Sequence, residues 1–311
     1  MTSLSGIYPR PEVVSPGAPA PLPRRGRGLT PYLFISPFYL GFVLFQLLPI
    51  AFSLYLSLVE WNGGPAMQFV GLGNFRTLIA DAKFWNAFRV TLIITVVCTL
   101  LGTIGALLLA VLLERVADWL AGLLRVIFFL PSVTSVVVIA YVWRQLYSTD
   151  YGYFNTLLEG MGLARQNWLG DPQLQLAALI VMLIWAGLGW DALIITAGLR
   201  SIPPELYDAA KVDGANEWSE FWGITLPLLR PTLTFVLVTG VIFLWGIFAQ
   251  PQLLTGGGEL RESQTIALYL YDVGFRYHKF GYASGMAVVL SLIMFVSGYL
   301  NFRFVKADVE Y

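Results

Sequence analysis

Five stretches of this chain run for 18 residues or more without a charge: residues 32–58, 90–113, 126–143, 231–258 and 280–302, with 27, 24, 18, 28 and 23 residues. A sixth, residues 174–199, is interrupted only by Asp191. A helix needs about 20 residues to cross the hydrocarbon core of a bilayer. A helix buried in a large soluble protein would carry a polar stripe, and these runs lack one. The expected fold is therefore all-α: a polytopic integral membrane protein with six transmembrane helices, in contact with lipid. Composition agrees, since 12% of residues are charged against about 25% in soluble domains.

Several function classes are excluded early. The formal net charge is zero, which argues against a nucleic-acid partner. Cys98 is the only cysteine and lies inside an apolar run, so neither a disulfide framework nor a thiolate metal site is expected. His278, the only histidine, sits in a polar loop. No metal, cofactor or catalytic residue is expected, because scattered carboxylates with one His and one Cys make no acid–base or nucleophile constellation. A phosphate-binding loop needs a Gly-Lys pair. The four lysines follow Ala82, Ala210, His278 and Val305, so the chain has no such ATP site. Asp191 stands alone, unlike the intramembrane carboxylate chains of proton relays.

Residues 1–30 are Pro/Gly/Ser-rich, with Arg24, Arg25 and Arg27 just before the first run, and read as a disordered cytoplasmic tail. The first run exceeds the 7–15-residue core of a cleavable signal, so it is expected to remain as the first helix. With the amino terminus inside, residues 114–125, 200–230 and 303–311 face the cytoplasm. The tail and those segments hold 11 of the 19 Lys and Arg, a slight positive-inside bias concentrated beside the first span. The expected organisation is a tail over 1–30, a transmembrane domain over 31–306, a polar cytoplasmic loop at 200–230 within it, and a short tail at 307–311. Aromatics beside glycines in the outer loops suit either interfacial anchoring or docking of an external protein.

The loop at 200–230 does not belong in a bilayer. It begins Ile202-Pro-Pro-Glu-Leu-Tyr-Asp-Ala-Ala-Lys-Val-Asp-Gly214 and ends Ile224-Thr-Leu-Pro227. Pro203-Pro204 can start a helix, and Gly214 is placed to adopt the left-handed conformation that ends it. Asn216 can cap a second helix, with Glu217 and Glu220 near its positive end. Pro227 closes the unit before the next span. A charged, hinged helical pair on a membrane protein without a motor of its own suggests a docking surface for a soluble ATPase.

The spacing Asp208-Ala209-Ala210, Gly214, Ile224-Thr225-Leu226-Pro227 resembles the loop signature of the permease subunits of binding-protein-dependent ABC importers, in the sugar and glycerol-phosphate group. That signature has Glu where this chain has Asp208, the same carboxylate on a stem one methylene shorter. Gly71-Leu-Gly-Asn-Phe75, Phe128-Phe-Leu-Pro131, Tyr151-Gly-Tyr-Phe-Asn155, Ala197-Gly-Leu199 and Leu253-Leu-Thr-Gly-Gly-Gly258 are similar to the same group. The resemblance implies a bacterial or archaeal cytoplasmic-membrane permease for a carbohydrate-type solute. Its partners would be a second homologous permease, two ATP-binding subunits and an extracytoplasmic solute-binding protein. ATP hydrolysis would occur on the partner, coupled through Glu205, Leu206, Tyr207, Asp208, Ala209, Ala210, Asp213, Gly214, Ile224 and Pro227. ATP binding would lever the loop helices and rock the cavity between inward- and outward-facing states.

The resemblance also places a solute cavity near mid-membrane, built by spans three to five. Gly187, Trp190 and Asp191 share one sector of the fourth run at spacings of three and four. Thr239, Phe243, Gly246 and Gln250 make a mixed stripe on the fifth, and Ser132 and Ser135 lie on the third. An indole face suits a sugar ring, and Asp191 can accept hydroxyl hydrogen bonds. The competing reading is helix packing, with Gly187 permitting close approach, Asp191 paired to a neighbour, and hydroxyls bonded to their own helices. A stand-alone secondary transporter or channel is the alternative function; it would work without ATP and leaves the loop signature unexplained.

Overall fold

The computed structural model describes residues 30–256 and 263–304. The expected terminal tails, with Arg10, Arg24, Arg25, Arg27 and Lys306, and Gly257, Gly258 and Arg261 lie outside the described residues. The chain divides after Pro49. Helix α1 (Thr30–Phe42) continues through a wide π turn, Val43–Leu47, into α2 (Leu48–Ser57), within which that division falls.

The body beyond Pro49 is helical apart from one two-stranded ribbon. Strands β1 (Val59–Glu60) and β2 (Gln68–Phe69) pair antiparallel, Val59 opposite Phe69. Then come α3 (Gly73–Ala80), α4 (Ala82–Arg115), α5 (Asp118–Val133), α6 (Val136–Leu146), α7 (Tyr153–Gly160) and α8 (Pro172–Arg200). The remainder is α9 (Pro204–Val212), α10 (Glu217–Glu220), a π turn at Phe221–Thr225, α11 (Leu226–Leu228), α12 (Arg230–Trp245), α13 (Ala249–Leu254), α14 (Ile266–Tyr271), a π turn at Asp272–Arg276 and α15 (Phe280–Phe304).

The six expected spans resolve differently. Four helices are unbroken and apolar enough to cross: Tyr32–Ser57, Ala82–Arg115, Pro172–Arg200 and Phe280–Asn301. The other two are bent pairs: Asp118–Val133 with Val136–Leu146 at 105°, and Glu217–Leu228 with Arg230–Trp245 at 61°. The run 126–143 is thus not one straight helix. Pro131 lacks the N–H that would continue the ladder, and Thr134 and Ser135 take extended ψ angles of 144° and 132°. Ser132 Oγ donates to the Phe129 carbonyl at 2.6 Å and Thr134 Oγ1 to that of Leu130 at 2.7 Å. Both hydroxyls thus bond back to their own helix, as is common in such helices. The run 231–258 also stops early, at Trp245, where Gly246 and Phe248 leave helical geometry before α13.

Helices α4, α8 and α5 meet through small residues. Ala106, Ala110, Ala178 and Ala192 are buried at their contacts, and close backbone approach is what associates helices where lipid is as apolar as leucine. A Cβ on Gly189 of α8 would sit 1.9 Å from the Phe128 carbonyl oxygen of α5. On the opposite end, Asp81 caps α4 by accepting from the Lys83 N–H at 2.9 Å, and its second oxygen accepts from the Tyr269 and Tyr282 hydroxyls at 2.6 and 2.7 Å. Burial pushes the Asp81 carboxyl up, but these hydrogen bonds outweigh it and hold it below the usual carboxylate range. Asn74, from the Gly71–Phe75 motif, donates to the Ser57 and Val59 carbonyls. Asn155, from the Tyr151–Asn155 motif, ties the loop before α8 together by donating to Gln166 and accepting from the Trp168 indole.

Candidate functional site

The polar loop folds as its residues dictate. Pro203 precedes α9 and Pro204 occupies its first turn. At the far end Gly214 has φ +82°, and a Cβ there would meet nothing within 4 Å, so backbone conformation alone demands glycine. The Gly214 N–H donates to the Lys211 carbonyl at 3.1 Å and the Ala215 N–H to that of Ala210 at 2.9 Å. This is the paired closure that satisfies the last carbonyls of a helix. One residue later Asn216 caps α10 reciprocally: its side chain accepts from the Ser219 N–H, and Ser219 Oγ accepts from the Asn216 N–H, both at 2.9 Å.

The two halves of the loop are joined by a hydrogen bond of 2.9 Å between the Tyr207 and Thr225 hydroxyls. Sequence reasoning had assigned Thr225 no role. Tyr207, Ile224 and Leu228 rest against the buried cluster of Leu109, Leu113, Ile195, Ile202 and Leu229 at the ends of α4 and α8. Around them, Glu114 pairs with Arg200 at 2.9 Å and with Arg125 at 3.4 Å, and Arg115 pairs with Glu217 at 2.9 Å. Glu205, Leu206, Asp208, Ala209, Asp213 and Gly214 are exposed, Ala210 and Pro227 half-buried. Asp208 reaches Lys211 only loosely, at 3.9 Å. The outward surface also carries Val212, Trp218 and Trp222, which are 88%, 71% and 51% exposed.

A cavity of about 540 Å³ opens between α4, α5, α6, α8, α12 and α13. Ser132, Gly187, Trp190, Asp191, Thr239, Phe243 and Gln250 all line it, so the three groups chosen on separate runs converge. Ser135 and Gly246 do not reach it; Ser135 precedes α6 and Gly246 ends α12. Gly187 is the glycine that leaves room, with nothing within 4 Å of a Cβ, while close helix approach falls to Gly189. Among the described residues Asp191 has no hydrogen-bond or ion-pair partner, against the alternative that it pairs with a neighbouring helix. The Trp190 ring stacks on Phe129, with centroids 6.3 Å apart and planes 19° apart. Thr239 does bond its own helix, donating to the Phe235 carbonyl at 2.7 Å.

Helix α4 supplies a wall that sequence reasoning missed: Cys98, Thr99, Gly102 and Thr103. The Thr99 hydroxyl is buried and has no partner among the described residues. The signal was present, because Thr95, Thr99 and Thr103 recur every fourth residue and so share one helical face.

A helical chain that crosses the membrane several times, holds a cavity with polar side chains set in an apolar wall and presents a capped helical loop has the architecture of a transport component. Residues 102–307 match the family described as binding-protein-dependent transport system inner membrane component, and the chain belongs to that family. It is the membrane-spanning permease of an ABC system rather than a catalytic subunit, which sets aside the single-chain transporter. A probable ABC transporter permease, YurN of Bacillus subtilis, is 33% identical over 287 residues, covering 91% of this chain and 98% of the relative. The lactose transport system permease LacF of Rhizobium radiobacter is 32% identical, over 87% and 92% of the two chains. Among solved structures, a bacterial alginate ABC transporter, in complex with its alginate pentasaccharide-bound periplasmic protein, superposes with a TM-score of 0.81. That match is 25% identical and covers 90% of this chain and 96% of the other.

Proposed function

We propose that this permease forms half of the translocation pathway for a carbohydrate-type solute. A second, homologous permease completes the pathway, two ATP-binding subunits drive it, and an extracytoplasmic solute-binding protein delivers the solute. The amino terminus lies in the cytoplasm, which places the loop at 200–230 on the ATPase side. There Glu205, Leu206, Asp208, Ala209 and Asp213 face the ATPase subunit. Tyr207, Ala210, Gly214, Ile224 and Pro227 keep the loop rigid enough to push on α4 and α8 when the ATPase dimer closes. Relatives named for lactose and for other sugars support the solute class.

The observation that carries this reading is the convergence of Ser132, Gly187, Trp190, Asp191, Thr239, Phe243 and Gln250 on one cavity. Aromatic faces beside hydroxyls, an amide and a carboxylate suit a ring that is apolar on its faces and hydroxylated at its rim. The test is uptake of radiolabelled di- and oligosaccharides into proteoliposomes holding both permeases, the ATPase subunits and the binding protein. Accumulation that requires ATP and every subunit is expected. Saturable sugar uptake by this chain alone, or an assembled complex that moves no carbohydrate, would overturn the proposal.

A further inference from the structure

The cavity wall has a sign and a hydrogen-bonding polarity. Among its lining residues Asp191 is the one carboxylate, and no lysine, arginine or histidine is present. Much of the remaining wall is apolar, including Pro131, Ile139, Met182, Leu183 and Ile184, so a charge inside is weakly screened.

The hydroxyls add to the same bias. Ser132, Thr134 and Thr239 each donate their proton to a carbonyl of their own helix, at 2.6, 2.7 and 2.7 Å. Toward the cavity they therefore present lone pairs, and an ionised Asp191 can only accept. Donors among the lining residues are the Gln250 amide, the Trp190 indole N–H and the Thr103 hydroxyl; the Thr99 hydroxyl is buried in the wall. An acceptor-rich wall suits a solute rich in O–H donors. The carboxylate of a uronate and the phosphate of a sugar phosphate are negative, and they meet no cation in this lining.

We infer that this half of the pathway selects by charge: it admits neutral, polyhydroxylated carbohydrates and rejects acidic ones, with Asp191 setting the sign and the back-bonded hydroxyls the polarity. The inference rests on the cavity being the solute path. It separates this permease from its structural neighbour, which serves the acidic polysaccharide alginate, although the two share a fold.

Binding is measured by calorimetry on the assembled permease–ATPase complex without the binding protein, so that the cavity and not the delivery protein chooses. The probes are a neutral maltotriose, the same trisaccharide oxidised to a uronate at one residue, and glycerol 3-phosphate. Maltotriose should bind at least about tenfold more tightly than either anion, the scale set by like charges several ångströms apart in a partly desolvated site. Asp191→Asn should shrink that ratio toward one, and Asp191→Glu should keep it. Because Asp191 has no partner among the described residues, the Asn variant should assemble normally. A wild-type complex that binds the uronate as well as maltotriose, or a ratio unchanged in Asp191→Asn, would overturn the charge filter alone. A complex that binds none of the sugars would overturn the solute-path reading and the filter with it.

Discussion

The loop at 200–230 and the membrane cavity both carry polar side chains in an apolar chain, and they treat those groups in opposite ways. In the loop the helix-end groups are satisfied locally: the α9 carbonyls by Gly214 and Ala215, the α10 N–H by Asn216, and Tyr207 by Thr225. In the cavity Asp191 is left without a protein partner among the described residues. A part that transmits force gains from saturating its own hydrogen bonds, since unmet groups give it alternative conformations. A part that recognises a passing solute gains from leaving groups unmet, because only those can be offered to cargo.

The largest expected effect breaks the loop. Gly214→Pro forces φ from +82° toward −65° and deletes the N–H that Lys211 accepts. The cost is on the order of 1–3 kcal/mol, enough to deplete the native loop about 5- to 150-fold. In the reconstituted complex, uptake should collapse while ATP hydrolysis persists; wild-type uptake would remove the loop's rigidity from the mechanism.

A middling effect contrasts two glycines on α8. Gly189→Ala drives a methyl into the Phe128 carbonyl and should lower thermal stability of the purified complex by about 1–3 kcal/mol. Gly187→Ala meets open space, so stability should hold within about 0.5 kcal/mol while solute affinity falls. Equal destabilisation by both changes would mean that Gly187 serves packing and not the cavity.

The smallest effect sharpens the loop side. Tyr207→Phe removes the hydroxyl that meets Thr225 and should cost about 0.5–1.5 kcal/mol. Uptake rate should fall severalfold with solute affinity unchanged. A change in affinity instead would mean that the two regions are not separable.

Much of this was legible from residue types. The loop could be read almost atom by atom, because caps and left-handed glycines are local devices with local signatures. Of the nine candidates named on spans three to five, seven reach the cavity and Ser135 and Gly246 do not; helical spacing grouped those on the fourth and fifth runs. The 105° break in the third run was not legible. Val126–Trp143 carries no charge, and hydropathy does not register that one helix ends just after Pro131. The roles of Gly187 and Gly189 were not legible either. Two glycines two residues apart face different neighbours, and only the third dimension says which one faces a carbonyl. Thr99 was passed over because the expected cavity was confined to spans three to five.

The π turn at Phe221–Thr225 gives the signature's spacing a geometric meaning. The Leu226 N–H reaches back five residues to the Phe221 carbonyl, so this stretch holds one residue more than an α-helix would. Each residue of an α-helix turns the chain by about 100°. Wound as regular α-helix instead, the same residues would carry that extra position as rotation and swing everything downstream by roughly a quarter turn or more. Thr225 would leave Tyr207, and the polar stripe of α12 would rotate away from the cavity. The π turn in this permease therefore acts as an angular setting: it fixes which side of α12 faces the cavity.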